Sequence, residues 1–191
     1  MTHDQDTTGD AAVEIVPYDP LWPVKFLEER ALISAALAPW IIGEPEHIGS
    51  TAVPGLAAKP IIDIMAPVET LARAAPAIAA AEPLGYLYYP YEPEAMHWFC
   101  KPSPAFRTHH LHLVPLGSRI WHERLNFRNA LREDSKLRDR YEALKVELAR
   151  AHRHDREAYT DAKRPFIHEV LRRVPSDGLA DPRTLLSNAI G

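Results

Sequence analysis

Cysteine is almost absent from this chain. Of 191 residues only Cys100 carries a thiol, so no intramolecular disulfide framework can form and the composition fits a reducing compartment. Between Phe99 and Lys101, Cys100 reads as a half-buried strand residue, with a catalytic thiol as the minor alternative. Long apolar runs are missing too. No stretch approaches the ~20 residues that cross a bilayer, and no apolar signal core opens the chain. A soluble, cytoplasmic protein without membrane partners is the expectation. Runs of Lys or Arg are also lacking, and the net charge is −4. Sequence-independent binding of duplex nucleic acid needs a basic face that displaces counterions, so that function class is excluded. A local basic pocket for a nucleotide or phosphate is not. No GxxxxGK[ST] loop occurs, which removes the kinases built on it. No internal repeat is visible.

Two residue types are plentiful. Prolines punctuate the first two thirds and describe many short elements with firm ends. Five of the ten histidines fall between His97 and His122. Residues 1–12 are small and polar and read as a disordered tail. Residues 13–16 read as a short strand or extended arm. Asp19 is placed to cap a helix from Pro20 to Leu37, with Phe26, Leu27, Ala31, Ile33, Ala35 and Leu37 on its apolar side. Strands are expected at 46–50, 60–67, 85–91, 96–101 and 108–114. An alanine-rich helix at 69–81 is broken at Pro76. Helices follow from 120 to 153, interrupted near 133–137, and from 155 to 174, interrupted at Pro165. Residues 175–191 read as a loose tail. One domain over 13–174 follows, of the α+β or α/β class, with a small mixed sheet flanked by helices and a C-terminal helical layer.

The most informative stretch is 47–65, HIGSTAVPGLAAKPIIDIM. A strand stops at Gly49-Ser50, a loop follows, and a second strand carries one lone charge, Asp63. A buried carboxylate without a partner costs on the order of several kcal/mol, so Asp63 should face a cleft. Strand side chains alternate faces. Asp63 therefore shares a side with Ile61 and Met65, while Thr108, His110, His112 and Val114 share a side of the later strand. If those strands are neighbours, Asp63, His110 and His112 meet in one pocket. Carboxylate plus imidazole can hold a divalent metal or do acid–base chemistry near neutral pH; solvated histidines on an edge strand are the plain alternative. Gly49, Ser50 and Thr51 could cradle phosphate oxygens or simply form a turn. Lys59, Arg107, Arg128 and Lys163 could neutralise phosphate or sit as surface charges. Trp98, Trp121 and Phe127 could stack on a base, but belong more naturally to a core. The charges of 138–156 read as a solvated helix face.

Several of these blocks together resemble the GrpB family, related to the nucleotidyltransferase superfamily. They are YDPLWP at 18–23, HIGSTAVPGLAAKPIIDI at 47–64, RTHHLHLV at 107–114, LNFRNALR at 125–132 and YTDAKRPFI at 159–167. The resemblance spans about 15–171 and implies a nucleotidyltransferase-like fold. The superfamily pattern is Gly-Ser or Gly-Gly, a loop, an Asp-x-Asp/Glu strand and a third carboxylate on a later strand, together holding metals at a nucleotide. Gly49 and Ser50 match the first element and Asp63 the first carboxylate. Met65 stands in place of the second, and His112 falls where the third would be. Glu92 or Glu94 could supply a missing carboxylate. The resemblance thus implies catalytic roles for Asp63 and His112, and phosphate contacts from Gly49, Ser50, Thr51, Lys59, Arg128 and Lys163. It implies metal ligation by Asp63, His110 and His112, with magnesium, manganese or zinc as the ion. Nucleotidyl transfer from a nucleoside triphosphate is the implied reaction. The alternatives are a non-catalytic nucleotide or phosphometabolite-binding module, and a phosphohydrolase. Domains of this family occur fused to dephospho-coenzyme A kinase, which suggests a coenzyme A-related role for such a module.

Overall fold

A computed structural model describes residues 11–173. The tail expected at 175–191, and all but the last two residues of the one expected at 1–12, lie outside that range. Five strands form one sheet: β1 (Glu46–Ile48), β2 (Ile62–Val68), β3 (Leu87–Tyr89), β4 (His97–Pro102) and β5 (Arg107–Pro115), in the order β1-β2-β5-β4-β3. Only the central β2–β5 pair is parallel; the other three pairs are antiparallel. A parallel pair needs a long crossover, and this one runs through the short helices α2 (Leu71–Ala74) and α3 (Ala77–Ala81), separated at Pro76, and then β3 and β4.

The two sheet faces carry different layers. On one, Ile62, Ile64, Ala66 and Val68 of β2 join Leu111 and Leu113 of β5 and Phe99 of β4 beneath α1 (Trp22–Ala36), α2 and α3. On the other, Met65, Trp98, Cys100 and Val114 pack with Trp121 of α4 (Arg119–Glu133). Cys100 is buried there as a strand residue. Beyond α4 come α5 (Ser135–Ala151), α6 (Arg156–Ala162) and α7 (Arg164–Leu171). Asp134 separates α4 from α5, accepting from the Leu137 amide as an N-cap. Pro165 lies in the first turn of α7, where its missing N–H costs nothing. This is an α+β fold with a mixed sheet and a C-terminal helical layer.

The face of α1 differs from the sequence expectation. Trp22, Phe26, Glu29 and Ile33 are buried, followed by Leu37 just past the helix. That i, i+4, i+3 rhythm is one helical stripe; Leu27 is 50% exposed because it falls off it, and Ala31 and Ala35 are exposed too. Glu29 is tolerated inside because Lys101 of β4 reaches it at 2.7 Å. Asp19 does assist the helix start, from two residues upstream of the Leu21 N-cap, accepting from the Leu21 amide at 2.9 Å. Truncation should separate the two faces. Ile33→Ala is expected to cost about 2–5 kcal/mol of unfolding free energy, and Leu27→Ala within about 0.5 kcal/mol of zero. Urea denaturation measures both, and equal losses would contradict the assigned stripe.

Candidate functional site

Parallel pairing of β2 with β5 sets Asp63 directly opposite His110, and Met65 opposite His112. All four side chains point to the face covered by α4, so the carboxylate meets both imidazoles. Nδ1 of His110 lies 2.8 Å from Oδ1 of Asp63, and Nε2 of His112 lies 3.8 Å from the same oxygen. The Asp63 side chain stays 26% exposed while His112 is 5% exposed, so the group opens to solvent on the aspartate side. One donor atom from each of the three falls within 4.8 Å of the others.

Proton placement follows from the partners. An ionised carboxylate only accepts, so Nδ1 of His110 carries a proton and donates it, leaving Nε2 bare, buried and without a partner. Nδ1 of His112 lies 3.4 Å from the Met96 sulfur, which can only accept. Its Nε2 is buried, has no hydrogen-bond partner, and lies 3.8 Å from Oδ1 of Asp63. With the Nδ1 proton turned to the sulfur, a divalent cation between Nε2 and the carboxylate would satisfy both, and this orphaned nitrogen is the observation that fits a metal here. Burial pushes His112 down to about 3, helped by the Arg124 guanidinium. Burial lowers His110 as well, against the pull of Asp63. Burial alone would raise the Asp63 carboxyl, but the His110 N–H bonded to it and the second imidazole beside it outweigh that and hold it well below the usual carboxylate range. The donors are thus one anionic oxygen and two neutral nitrogens at neutral pH, a set suited to manganese or zinc more than magnesium. Among the described residues no second carboxylate joins this group, Glu92 and Glu94 included. Met65 is fully buried in the core.

Gly49 has a reason beyond ligand access. Its φ is +71° with ψ −172°, a region open in practice to glycine alone. A methyl group there would overlap Oδ2 of Asp63. The backbone at the end of β1 therefore forms a wall against the carboxylate. Ser50 begins a short 3-10 turn, Ser50–Ala52, with its side chain beside the Tyr141 phenol. Thr51 is buried; its hydroxyl donates to the Ile61 carbonyl at 3.0 Å and accepts from Nε2 of His47. His47 in turn stacks on Phe26 at 4.6 Å, and burial lowers it to about 4. Arg128 bridges the Glu46 carboxylate at 2.7 Å and the His47 carbonyl at 2.9 Å. Arg132 donates twice to the Ala52 carbonyl. Thr51 and Arg128 are thus tied to the protein and hold the loop, while Gly49 and Ser50 remain at the surface of the cleft.

Two of the sequence-selected cations face the same region. Lys59 and Lys163 both lie over the Tyr159 ring, at 4.8 and 4.4 Å from its centroid, and both feel the Asp63 charge. A third cation joins them from a run that reads as a solvated helix face. Lys145 of α5 is 1% exposed, donates to the Ala57 carbonyl and lies 5.0 Å from the Tyr141 centroid. Glu142, three residues before it on the same side of the helix, accepts from the Ala57 amide at 2.8 Å, so both polar groups of that residue are held by α5. Burial, then mutual repulsion, pushes Lys59 and Lys145 down to about 7; burial pushes Lys163 down to about 8. Arg107 is stacked over Trp98 at 5.2 Å, and Trp98 also lies against His110 at 5.0 Å.

Comparison with known proteins gives a consistent picture. A family model described as GrpB protein matches residues 12–173. A UPF0157 protein of Pseudomonas aeruginosa is 40% identical over 171 residues, covering 86% of this chain and 68% of its own. The glutamate-rich protein GrpB of Alkalihalophilus pseudofirmus is 30% identical over 171 residues, 85% of this chain and 95% of that one. The crystal structure of the conserved protein GrpB from Enterococcus faecalis shares 30% identity with a TM-score of 0.75, over 93% of this chain and 100% of that one.

Two expectations follow for the ligand-free protein. Gly49→Ala should destabilise by about 1–3 kcal/mol from backbone strain and more from the clash with Asp63. Gly55 also has positive φ, but a methyl there meets nothing nearer than 3.9 Å, so Gly55→Ala should cost the strain alone. Denaturant titration compares them, and equal costs would remove the role given to the carboxylate contact. The lysines set a pH dependence. Their folded-state values lie below the unfolded one, so between about pH 7 and pH 10 the unfolded chain binds more protons and stability rises with pH. Thermal melts across that window should show a rising Tm with a shallower slope in Lys163→Met; a flat or falling profile would contradict the burial of these charges.

Proposed function

The chain belongs to the GrpB family, and from that membership, together with the convergence of Asp63, His110 and His112, we propose that it transfers a nucleotidyl group from a nucleoside triphosphate to an acceptor in a metal-dependent reaction. The observation that carries the reading is the buried, unpartnered Nε2 of His112 beside the Asp63 carboxylate. Asp63, His110 and His112 would hold the ion. When bound, a divalent ion at these donors supplies charge neutralisation for the α-phosphate and the leaving group. The exposed Gly49 leaves room for phosphate oxygens beside Asp63, and Ser50 offers a hydroxyl there. Lys59 and Lys163 balance the remaining negative charge. In the transfer, an acceptor oxygen bonds to the α-phosphorus as the bond to the bridging oxygen breaks. Diphosphate departs with that electron pair, and the acceptor's proton is lost to water at the open side of the cleft. Burial keeps both imidazoles neutral, so protons do not compete for the metal at pH 7.

A second reading, ligand binding without transfer, is favoured by Met65. It stands where a second carboxylate would be and is sealed in the core. Thermal shift and product analysis together separate the two. Nucleoside triphosphate with manganese or zinc should stabilise the wild type, by roughly 2.7 kcal/mol at a hundredfold excess over the dissociation constant. Asp63→Ala should lose the part of that gain that metal adds. Diphosphate released in the presence of an acceptor supports transfer; stabilisation without release supports a binding module. A metal-dependent increment that is absent in the wild type, or unchanged in Asp63→Ala, would overturn the site assignment for both.

A further inference from the structure

We propose that Lys59, Lys145 and Lys163, gathered about the Tyr141 and Tyr159 rings, form a binding site for a condensed phosphate chain, diphosphate or longer, that works without a metal ion. As the seat of a leaving diphosphate it rests on the nucleotidyl-transfer reading; as an anion site it stands on the lysines alone.

Three elements far apart in sequence deliver the ammonium groups: the loop before β2, the middle of α5, and the junction of α6 with α7. Lys59 and Lys163 lie within 5 Å of one ring centroid, so their charges are held close together. Among the described residues none of the three is ion-paired with a carboxylate at contact distance. The counter-charges in reach are Asp63, felt by Lys59 and Lys163, and Glu142, felt by Lys145. Asp63 is already engaged by the His110 N–H. Arg107 adds further positive charge near Lys59. The region therefore holds more cation than anion while largely withdrawn from water. Such an arrangement raises the free energy of the empty protein. Like charges are not gathered and desolvated for stability; apolar side chains of the same size would be better there. A polyanion resolves the conflict, because each phosphate oxygen gains a cation and each lysine regains its proton affinity. Orthophosphate carries too little charge to satisfy three lysines, and a nucleobase has none. The tyrosine rings give the ammonium groups partial stabilisation while the site is empty and shape its apolar wall.

Isothermal titration with inorganic diphosphate and tripolyphosphate in EDTA tests this on the full chain. Both are expected to bind, with orthophosphate at least tenfold weaker. Lys163→Met and Lys59→Met should each weaken diphosphate binding at least tenfold while raising the Tm of the ligand-free protein, a sign that a merely structural lysine would not give. Lys145→Met also removes the donor to the Ala57 carbonyl, so its effects on fold and on binding are not separable and it is not used. Asp63→Asn should retain or tighten diphosphate binding although it removes a metal donor, which separates failure of this site from failure of the transfer reading. A nucleoside triphosphate binding tighter than tripolyphosphate would assign the chain to a nucleotide; equal affinity would assign it to the condensed phosphate itself. No heat with diphosphate at millimolar concentration, or unchanged affinity in both Lys→Met variants, would overturn the proposal.

Discussion

The register of β2 against β5 is the constraint on which the cleft depends. Because side chains alternate, a slip of one residue would turn His110 and His112 into the apolar layer beneath α1 and bring His109 and Leu111 to face Asp63. Nothing in the polar residues themselves prevents that slip. The apolar ones do. Ile64, Ala66, Leu111 and Leu113 are fully buried against the helices of the other face, and a shifted register would expose them. The hydrophobic layer on one side of the sheet thus fixes the chemistry on the other.

A second constraint acts on β1 and the loop that follows it. This segment contains little regular structure, yet its carbonyls are taken up by long side chains from the C-terminal helices: His47 by Arg128, Ala52 by Arg132, Pro54 by Arg138 and Ala57 by Lys145. A buried carbonyl left unpaired is costly, so each of these bonds couples loop shape to helix position. The LNFRNALR block is accordingly a bracing element. Its arginines hold the backbone beside Asp63 in place.

The sequence made part of this legible. The lone charge between Ile62 and Ile64, the alternation through RTHHLHLV and the breaks at Pro76, Asp134 and Pro165 all follow from local rules, and the strands, faces and helix interruptions came out accordingly. What was hidden depends on partners distant along the chain. Lys145 lies in a run that reads as a solvated helix face, and only the Ala57 carbonyl and Tyr141 ring reveal it as buried. Glu29 is inside because Lys101 arrives from β4. Thr51 and Arg128 resemble ligand-binding residues in type and placement, but their polar groups close on His47, Ile61 and Glu46. Composition and spacing name a side chain's chemistry; they do not say which backbone group has already claimed it.

The crossover between β2 and β5 also has a kinetic consequence. Asp63 and His110 are 47 residues apart in sequence, with two short helices and the β3 and β4 strands between them. The β4–β5 hairpin forms from neighbouring segments, whereas the parallel contact must wait for a long loop to close. The carboxylate and the imidazoles therefore come together late in folding, after the hairpin has set the orientation of both histidines. Neither half of the chain contains all three side chains, so partly folded chains lack the grouping of Asp63, His110 and His112, which is a property of the finished sheet alone.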